Sequence, residues 1–154
     1  MAVAGPGRAG AAETELAESV GSAIAARGAV LVCGGLGGVM EAACRGAAGS
    51  GGTTVGILPG LDRAQANPHV QVAIPTGLGE VRNALVVRAA DALIAIAGEW
   101  GTLSEIALAM KTGKPVVGLG TWELARAGRP VEKIEQADGA EDAVERALAA
   151  ARSA

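Results

Sequence analysis

The sequence contains no Phe or Tyr, and it has a single His and only two Cys among its 154 residues. The core must therefore be built from Ala, Val, Leu and Ile, whose small side chains favour close packing. One His offers no partner for a histidine-based metal site, and Cys33 and Cys44 lack the C-x-x-C spacing. We predict no metal site and expect both cysteines to be reduced, buried small hydrophobes.

Basic residues are also scarce: the net charge is −3, and no basic run occurs. With only two aromatic residues, no phosphate-backbone patch or base-stacking platform for nucleic acid is visible. The apolar run 84–97 is interrupted by Arg88 and Asp91 and is shorter than the about 20 residues that span a bilayer. Residues 1–7 lack the basic start and apolar core of a signal peptide. We therefore expect a cytoplasmic protein without nucleic-acid or membrane partners.

Glycine, by contrast, is abundant, and its 24 copies cluster between short apolar runs that alternate with amphipathic segments. This alternation predicts right-handed βαβ crossovers and a mainly parallel sheet of six or seven strands. We predict a single Rossmann-like three-layer α/β domain over residues 1–154. The predicted strands are 1–4, 29–33, 53–58, 70–74, 92–97, 115–119 and an edge strand at 131–134. The predicted helices are 13–27, a helix that follows Gly38 and ends near Ala48, 80–89, 102–112 and 140–151.

A glycine-rich turn follows the second predicted strand, at the sheet edge where parallel folds bind ligands. It carries Gly34, Gly35, Gly37 and Gly38 and leads into a helix whose free amides would attract an anion. The turn fits neither the dinucleotide fingerprint nor a P-loop. We expect these glycines to cradle a phosphate, although a tight turn with close packing would also require them. Glu41 either contacts ligand hydroxyls or complements the helix dipole.

The turn after the fifth predicted strand has similar chemistry. Gly98 and Gly101 allow a sharp turn, and Thr102 can cap a helix whose first amides attract an anion. Thr102 and Glu105 also fit a capping box, in which the glutamate bonds back to the cap amide. Trp100 is exposed by its place in the turn, and it either stacks on a planar ring or is covered by a neighbouring subunit.

Arg82 favours a ligand site over simple capping. It lies in the first turn of the predicted helix 80–89, where a cation opposes the helix dipole. A bound anion explains this placement, because the forked guanidinium is suited to phosphate. A solvated surface arginine is the alternative.

Four segments resemble the molybdenum-cofactor carrier and LOG-like superfamily. They are C-G-G-L-G-G-V-M-E-A from Cys33, G-I-L-P-G from Gly56, V-R-N at 81–83 and A-D-A-L-I-A-I-A-G-E-W-G-T-L-S-E from Ala90. The resemblance covers roughly residues 1–120. It implies a Rossmann-like homo-oligomer, either a dimer or a tetramer.

Within that superfamily, the Lonely-guy enzymes cleave the N-glycosidic bond of cytokinin nucleoside monophosphates. Their signature resembles P-G-G-x-G-T-x-x-E with an upstream Arg-Lys, so the resemblance implies Arg82 and Glu105 as catalytic residues. Ala97, Glu99 and Asn83 stand where that pattern has proline, glycine and lysine. These differences bring the chain closer to the carrier-like branch, in which ligand binding without turnover is expected. The ligand-binding residues predicted besides the two catalytic ones are Gly34, Gly35, Gly37, Gly38, Glu41, Asn83, Gly98, Trp100, Gly101 and Thr102.

Two main hypotheses follow. In the first, a homo-oligomer binds a phosphate-bearing nucleotide or pterin, such as the molybdenum cofactor or a nucleoside monophosphate. Arg82 would neutralise its phosphate, and amides of 34–38 and 98–102 would hold it. In the alternative, the chain is a nucleoside 5′-monophosphate phosphoribohydrolase in which Glu105 stabilises the oxocarbenium ion or orients water. A third hypothesis is an interaction-only oligomer with a vestigial cleft.

Overall fold

A computed structural model describes residues 1–131 and 133–153, and it confirms the predicted three-layer α/β fold. The strands are Ala2–Ala4 (β1), Leu31–Cys33 (β2), Thr54–Leu58 (β3), Val72–Pro75 (β4), Leu93–Ile96 (β5), Val116–Leu119 (β6), Ala125–Arg126 (β7), Arg129–Pro130 (β8) and Ile134–Gln136 (β9). The helices are Ala11–Ala26 (α1), Val39–Gly49 (α2), Asn83–Arg88 (α3), Trp100–Lys111 (α4) and Ala140–Ser153 (α5). None of the helices in the described ranges combines the length and apolarity needed to cross a membrane.

Seven parallel strands form the main sheet in the order β4-β3-β2-β1-β5-β6-β9. The order runs one way from β1 to β4 and the other way from β5 to β9, so it reverses between β1 and β5. The loops that leave the carboxyl ends of these two strands begin at Gly5 and Ala97. In this class of fold, the crevice between such loops is the usual ligand site.

Each face of the sheet packs on its own apolar cluster, because successive strand residues point to opposite faces. Val3 and Ile94 join the cluster with α1, α2 and α5, whereas Ala2 and Leu93 join the one with α3 and α4. The central strands are therefore buried on both sides, as their continuous apolar runs predict.

Helices α1 and α2 approach closely through glycine. A Cβ on Gly21 would overlap the carbonyl oxygen of Ala43, and a Cβ on Gly46 would overlap that of Glu18. Close backbone contact of this kind is what a core without Phe or Tyr requires. The Arg45 guanidinium also donates to Glu18 across this interface, with an Nη2–Oε2 distance of 2.8 Å.

Replacement by alanine should therefore affect stability differently at two glycines of α2. Gly46→Ala should lower the free energy of unfolding by about 2 kcal/mol or more, because the new methyl group pushes against backbone. Gly49→Ala in the same helix meets nothing within 4 Å and should leave stability unchanged or raise it by up to about 1 kcal/mol. Urea denaturation of both variants checks this, and equal midpoints would contradict the packing described.

Several predicted elements have other bounds than expected. The edge strand is not at 131–134, because the Val131 N–H donates to the Leu124 carbonyl beside the small β7–β8 hairpin. The strand that pairs with β6 is β9. Glu132, which belongs to the predicted strand, lies outside the described residues. The predicted helix 80–89 is a 3₁₀ turn, Gly79–Arg82, followed by α3. The turn is tight because the Val81 N–H donates to Leu78, three residues back. Helix α1 begins at Ala11, where the Glu13 carboxylate accepts the Gly10 N–H.

Candidate functional site

A cavity of about 850 Å³ lies at the loops that follow β1 and β5, a size typical of small-molecule sites. Its wall includes Gly5, Pro6 and Gly7 of the loop that follows β1. Six of the twelve predicted site residues line it, namely Arg82, Asn83, Trp100, Gly101, Thr102 and Glu105. The other six are not among the lining residues, namely Gly34, Gly35, Gly37, Gly38, Glu41 and Gly98.

Arg82 is a buried residue of this wall, with only 8% of its surface exposed, so its interpretation as a solvated surface arginine is wrong. One terminal nitrogen, Nη1, donates to Asn83 Oδ1. Its Nε–H is buried and has no hydrogen-bond partner among the residues that the structure describes. Within the described ranges, no carboxylate lies close enough to form an ion pair with it. Arg82 thus carries a buried positive charge and a free donor at the cavity.

A short polar chain connects Arg82 to helix α4. Asn83 Nδ2 donates to Ser104 Oγ at 2.9 Å, and the Ser104 hydroxyl donates to the Gly101 carbonyl at 2.7 Å. These bonds hold α3 beside the first turn of α4. Sequence reasoning missed Ser104, whose only signal was its position between Thr102 and Glu105.

Helix α4 begins two residues earlier than predicted, at Trp100, because Glu99 adopts the extended conformation of an N-cap residue. The Leu103 N–H makes the first intrahelical bond to Glu99, at 3.0 Å, which leaves the preceding amides without helical acceptors. The alternative interpretation of Thr102 and Glu105 as a capping box is therefore wrong. Thr102 is instead 2% exposed, and its hydroxyl has no hydrogen-bond partner within residues 1–131 and 133–153.

Glu105 is a buried carboxyl in the same wall, with 7% of its surface exposed. Burial raises its pKa from 4.5 to about 7, and the positive charge of Arg82 opposes this rise. Near neutral pH, the group is divided between its acid and carboxylate forms. It can therefore donate a proton or a hydrogen bond as well as accept one.

Three of the four glycines after β2 have close neighbours that leave no space for a side chain. A Cβ at Gly34 would lie 2.6 Å from Arg82 Nη2, and a Cβ at Gly38 would overlap the backbone of Pro6. Gly35 has a φ of +74°, and a Cβ there would lie 2.7 Å from a methyl carbon of Leu58. The turn thus packs closely against the Arg82 side chain and the loop after β1. Glu41 lies in the first turn of α2 and is half-buried.

Ala97 has a φ of +49°, a conformation closed to the proline of the Lonely-guy pattern, whose φ is fixed near −65°. Its N–H also donates to Leu119 at 3.0 Å. Ala97→Pro should therefore lower the free energy of unfolding by about 3 kcal/mol or more. Ala97→Gly should change it by less than about 1 kcal/mol, because relief of strain offsets the greater entropy of the unfolded chain. Urea denaturation measures both, and a wild-type midpoint for the proline variant would contradict this turn geometry.

The two cysteines are free and buried, as predicted, with 3.5 Å between their sulfur atoms. In the part of the chain that the structure describes, no three His, Cys, Asp or Glu side chains are grouped to hold a metal ion.

Comparisons with known proteins identify a family and several similar proteins. A model of the SLOG cluster4 family matches residues 1–149. An uncharacterized protein of Archaeoglobus fulgidus is 44% identical over 119 residues, which are 77% of this chain and 78% of that protein. The molybdenum cofactor binding protein of Rippkaea orientalis is 37% identical, with a TM-score of 0.87 over 96% of this chain and 94% of its own. The molybdenum cofactor carrier protein of Chlamydomonas reinhardtii is 33% identical, with a TM-score of 0.83 over 97% and 95% of the two chains.

Proposed function

Because the chain belongs to the SLOG cluster4 family, we propose that it binds a phosphate-bearing nucleotide or pterin in the cavity at the loops that follow β1 and β5. The observation that carries this proposal is the pair of buried, unpartnered groups in the wall, the Nε–H of Arg82 and the hydroxyl of Thr102. Buried polar groups are almost always hydrogen-bonded in native proteins. A ligand phosphate would provide both groups with an acceptor.

The charges of the cavity favour an anion. Arg82 provides a fixed positive charge, and the free amides at the start of α4 add the positive end of a helix dipole. The raised pKa of Glu105 removes part of the opposing charge near neutral pH. Glu80 and Glu99 also line the cavity, and both are exposed to solvent, which screens their charge.

The molybdenum cofactor is the ligand that the structural relatives favour. Two of them are described as binding or carrying it, and they match nearly the whole of this chain. The cofactor is a pterin with a terminal phosphate, which suits a cavity with buried phosphate donors and an exposed tryptophan. A nucleoside monophosphate is the other ligand of the same class. The cytoplasmic location predicted from the sequence remains part of this proposal.

We also propose that the protein is a homo-oligomer. Several large apolar side chains are exposed, with Leu61 at 83% and Val81 at 73% exposure, and Leu78 and Leu85 less so. Val81 lines the cavity, so a second copy seated on these side chains would border the ligand. Light scattering should give the mass of a dimer or tetramer, and Val81→Lys should lower it. A monomeric wild-type mass would contradict this part of the proposal.

The phosphoribohydrolase remains the second candidate, because Arg82 and Glu105 share one cavity and the pKa of Glu105 is about 7. A group with that pKa is suited to proton transfer at neutral pH. Incubation with AMP and with a cytokinin monophosphate separates the candidates. The binding proposal predicts affinity without release of ribose 5-phosphate. Release that Glu105→Gln abolishes would establish the enzyme instead.

A further inference from the structure

The two tryptophans of the chain form a pair at the mouth of the cavity. Trp100 is 77% exposed and lines the cavity, and its ring centroid lies 5.3 Å from that of Trp122, with 37° between the ring planes. No Phe or Tyr exists anywhere in the sequence. All the aromatic surface of this protein is therefore concentrated at one point beside the candidate site.

Trp122 is held in place by the turn that follows β5. Its indole Nε1–H donates to the Glu99 carbonyl at 3.4 Å. A Cβ at Gly98 would lie 2.6 Å from Trp122 Nε1, so the indole occupies the space that a side chain there would need. Gly98 thus has a structural role, which is to admit Trp122 against the start of α4.

The polar and aromatic parts of the cavity lie at different depths. Arg82 and Thr102 are 8% and 2% exposed, whereas Trp100 is 77% exposed. An occupant that satisfies both ends carries its anion in the interior and a flat apolar ring at the mouth. The spacing of 5.3 Å is that of two rings in direct contact, so the occupant's ring cannot lie between the tryptophans and must use the remaining face of Trp100.

We propose that Trp100 is the stacking residue that selects ligands with a planar fused heterocycle, and that Trp122 is the residue that positions it. This inference rests on the proposed function, since it assumes that the cavity holds a phosphate, and it adds which part of the ligand is recognised at the mouth. Stacking of a base on an aromatic side chain strengthens binding by about 5- to 100-fold. The ring of a pterin or a purine therefore contributes to affinity apart from the phosphate.

Calorimetric titrations with guanosine 5′-monophosphate, a pterin monophosphate and ribose 5-phosphate test this inference. Wild-type protein should bind at least one of the two ring compounds about 5- to 100-fold more tightly than ribose 5-phosphate. Trp100→Ala should abolish this preference and leave the affinity for ribose 5-phosphate unchanged. Trp122→Ala should reduce the preference, and Trp122→Phe, which keeps an aromatic ring against Trp100, should retain most of it.

Fluorescence provides a second readout, because all intrinsic aromatic emission comes from this pair. In Trp122→Phe, the remaining emission belongs to Trp100 and should be quenched by the ring ligand but not by ribose 5-phosphate. In Trp100→Phe, the remaining emission of Trp122 should change little.

The outcomes that overturn this inference differ from those that overturn the proposed function. Equal affinities for ring and ring-free ligands, with ribose 5-phosphate binding that depends on Arg82, would refute the stacking role alone. An unchanged preference in Trp100→Ala together with a smaller oligomer would assign Trp100 to a contact between copies and also refute it. If none of the three compounds binds, both proposals fail.

Discussion

Between pH 4.5 and pH 8, the free energy of unfolding of Glu105→Gln should rise by about 3 kcal/mol relative to that of wild type. Any difference that the two proteins already show at pH 4.5 is subtracted. The cause is the burial of the carboxyl, which raises its pKa from 4.5 to about 7. Above pH 7, the native state must hold a buried carboxylate that Arg82 only partly compensates. Glutamine has nearly the same shape and carries no charge at any pH.

The sign of this change in stability follows from proton linkage. Between pH 4.5 and pH 7, the native state binds a proton at Glu105 more tightly than the unfolded state does. The favourable contribution of this group is therefore fully present below pH 4.5, and it is lost as the pH rises through 7. The charged groups that share its cavity are Arg82, Glu80 and Glu99, of which only Arg82 is buried.

Urea denaturation at several pH values measures this effect. The difference between Glu105→Gln and wild type should grow from pH 4.5 to pH 8, whereas Glu145→Gln, at an exposed position of α5, should change stability by less than about 0.5 kcal/mol at each pH. A constant difference for Glu105→Gln would show that the carboxyl ionises as freely as in the unfolded chain.

Arg82→Gln should weaken the binding of a phosphate-bearing ligand by about 10- to 100-fold, because a charged hydrogen-bond donor and a fixed positive charge are lost. The variant should also move the pKa of Glu105 further upward, since Arg82 is the group that lowers it. The pH at which the stability contribution of Glu105 is lost would then lie above 7. If Arg82 had only a structural role, its removal would not be expected to weaken ligand binding and raise the pKa of Glu105 together.

Arg88→Gln is the matched control for this prediction. Arg88 ends the same helix, α3, and its side chain is exposed. Calorimetry should show wild-type affinity for guanosine 5′-monophosphate in this variant, with unchanged thermal stability. Equal losses of affinity in Arg82→Gln and Arg88→Gln would show that Arg82 contributes only general electrostatic attraction.

The fold could be predicted because its evidence is local. Alternating apolar runs and amphipathic segments identified the parallel sheet and the main helices, and glycine turns marked the ligand edge. The edge strand could not be placed, because β9 is mostly exposed and its position depends on pairing with β6 and on the hairpin between them. Such distant pairing leaves no periodic signal in the sequence.

A residue of the cavity wall could be predicted where residue type conflicts with local preference. Arg82, which opposes a helix dipole, proved to be buried in the cavity wall. The family pattern points to Thr102 and Glu105, and both line the cavity, whereas the capping spacing between them is coincidental once α4 begins at Trp100. Ser104 and Trp122 were missed, because their importance comes from contacts with residues distant in the chain, Asn83 and Gly98.

The glycines of 34–38 have a packing role that is separate from the phosphate cradle predicted for their amides. Four glycines in five residues suggested a cradle, yet the structure gives three of them specific neighbours that exclude a side chain. Those neighbours belong to Arg82, the loop after β1 and the Leu58 side chain. The sequence indicates that some group comes close to the backbone of these glycines. Only the folded structure shows which protein groups do so.

Native mass spectrometry of the protein purified from cells that make the molybdenum cofactor is the most direct test of the central claim. We predict that wild-type protein carries a phosphate-bearing planar heterocycle, that Arg88→Gln carries it equally, and that Arg82→Gln has lost most of it. A wild-type mass without any bound compound, or equal occupancy in Arg82→Gln, would contradict the assignment of this cavity as a phosphate-ligand site.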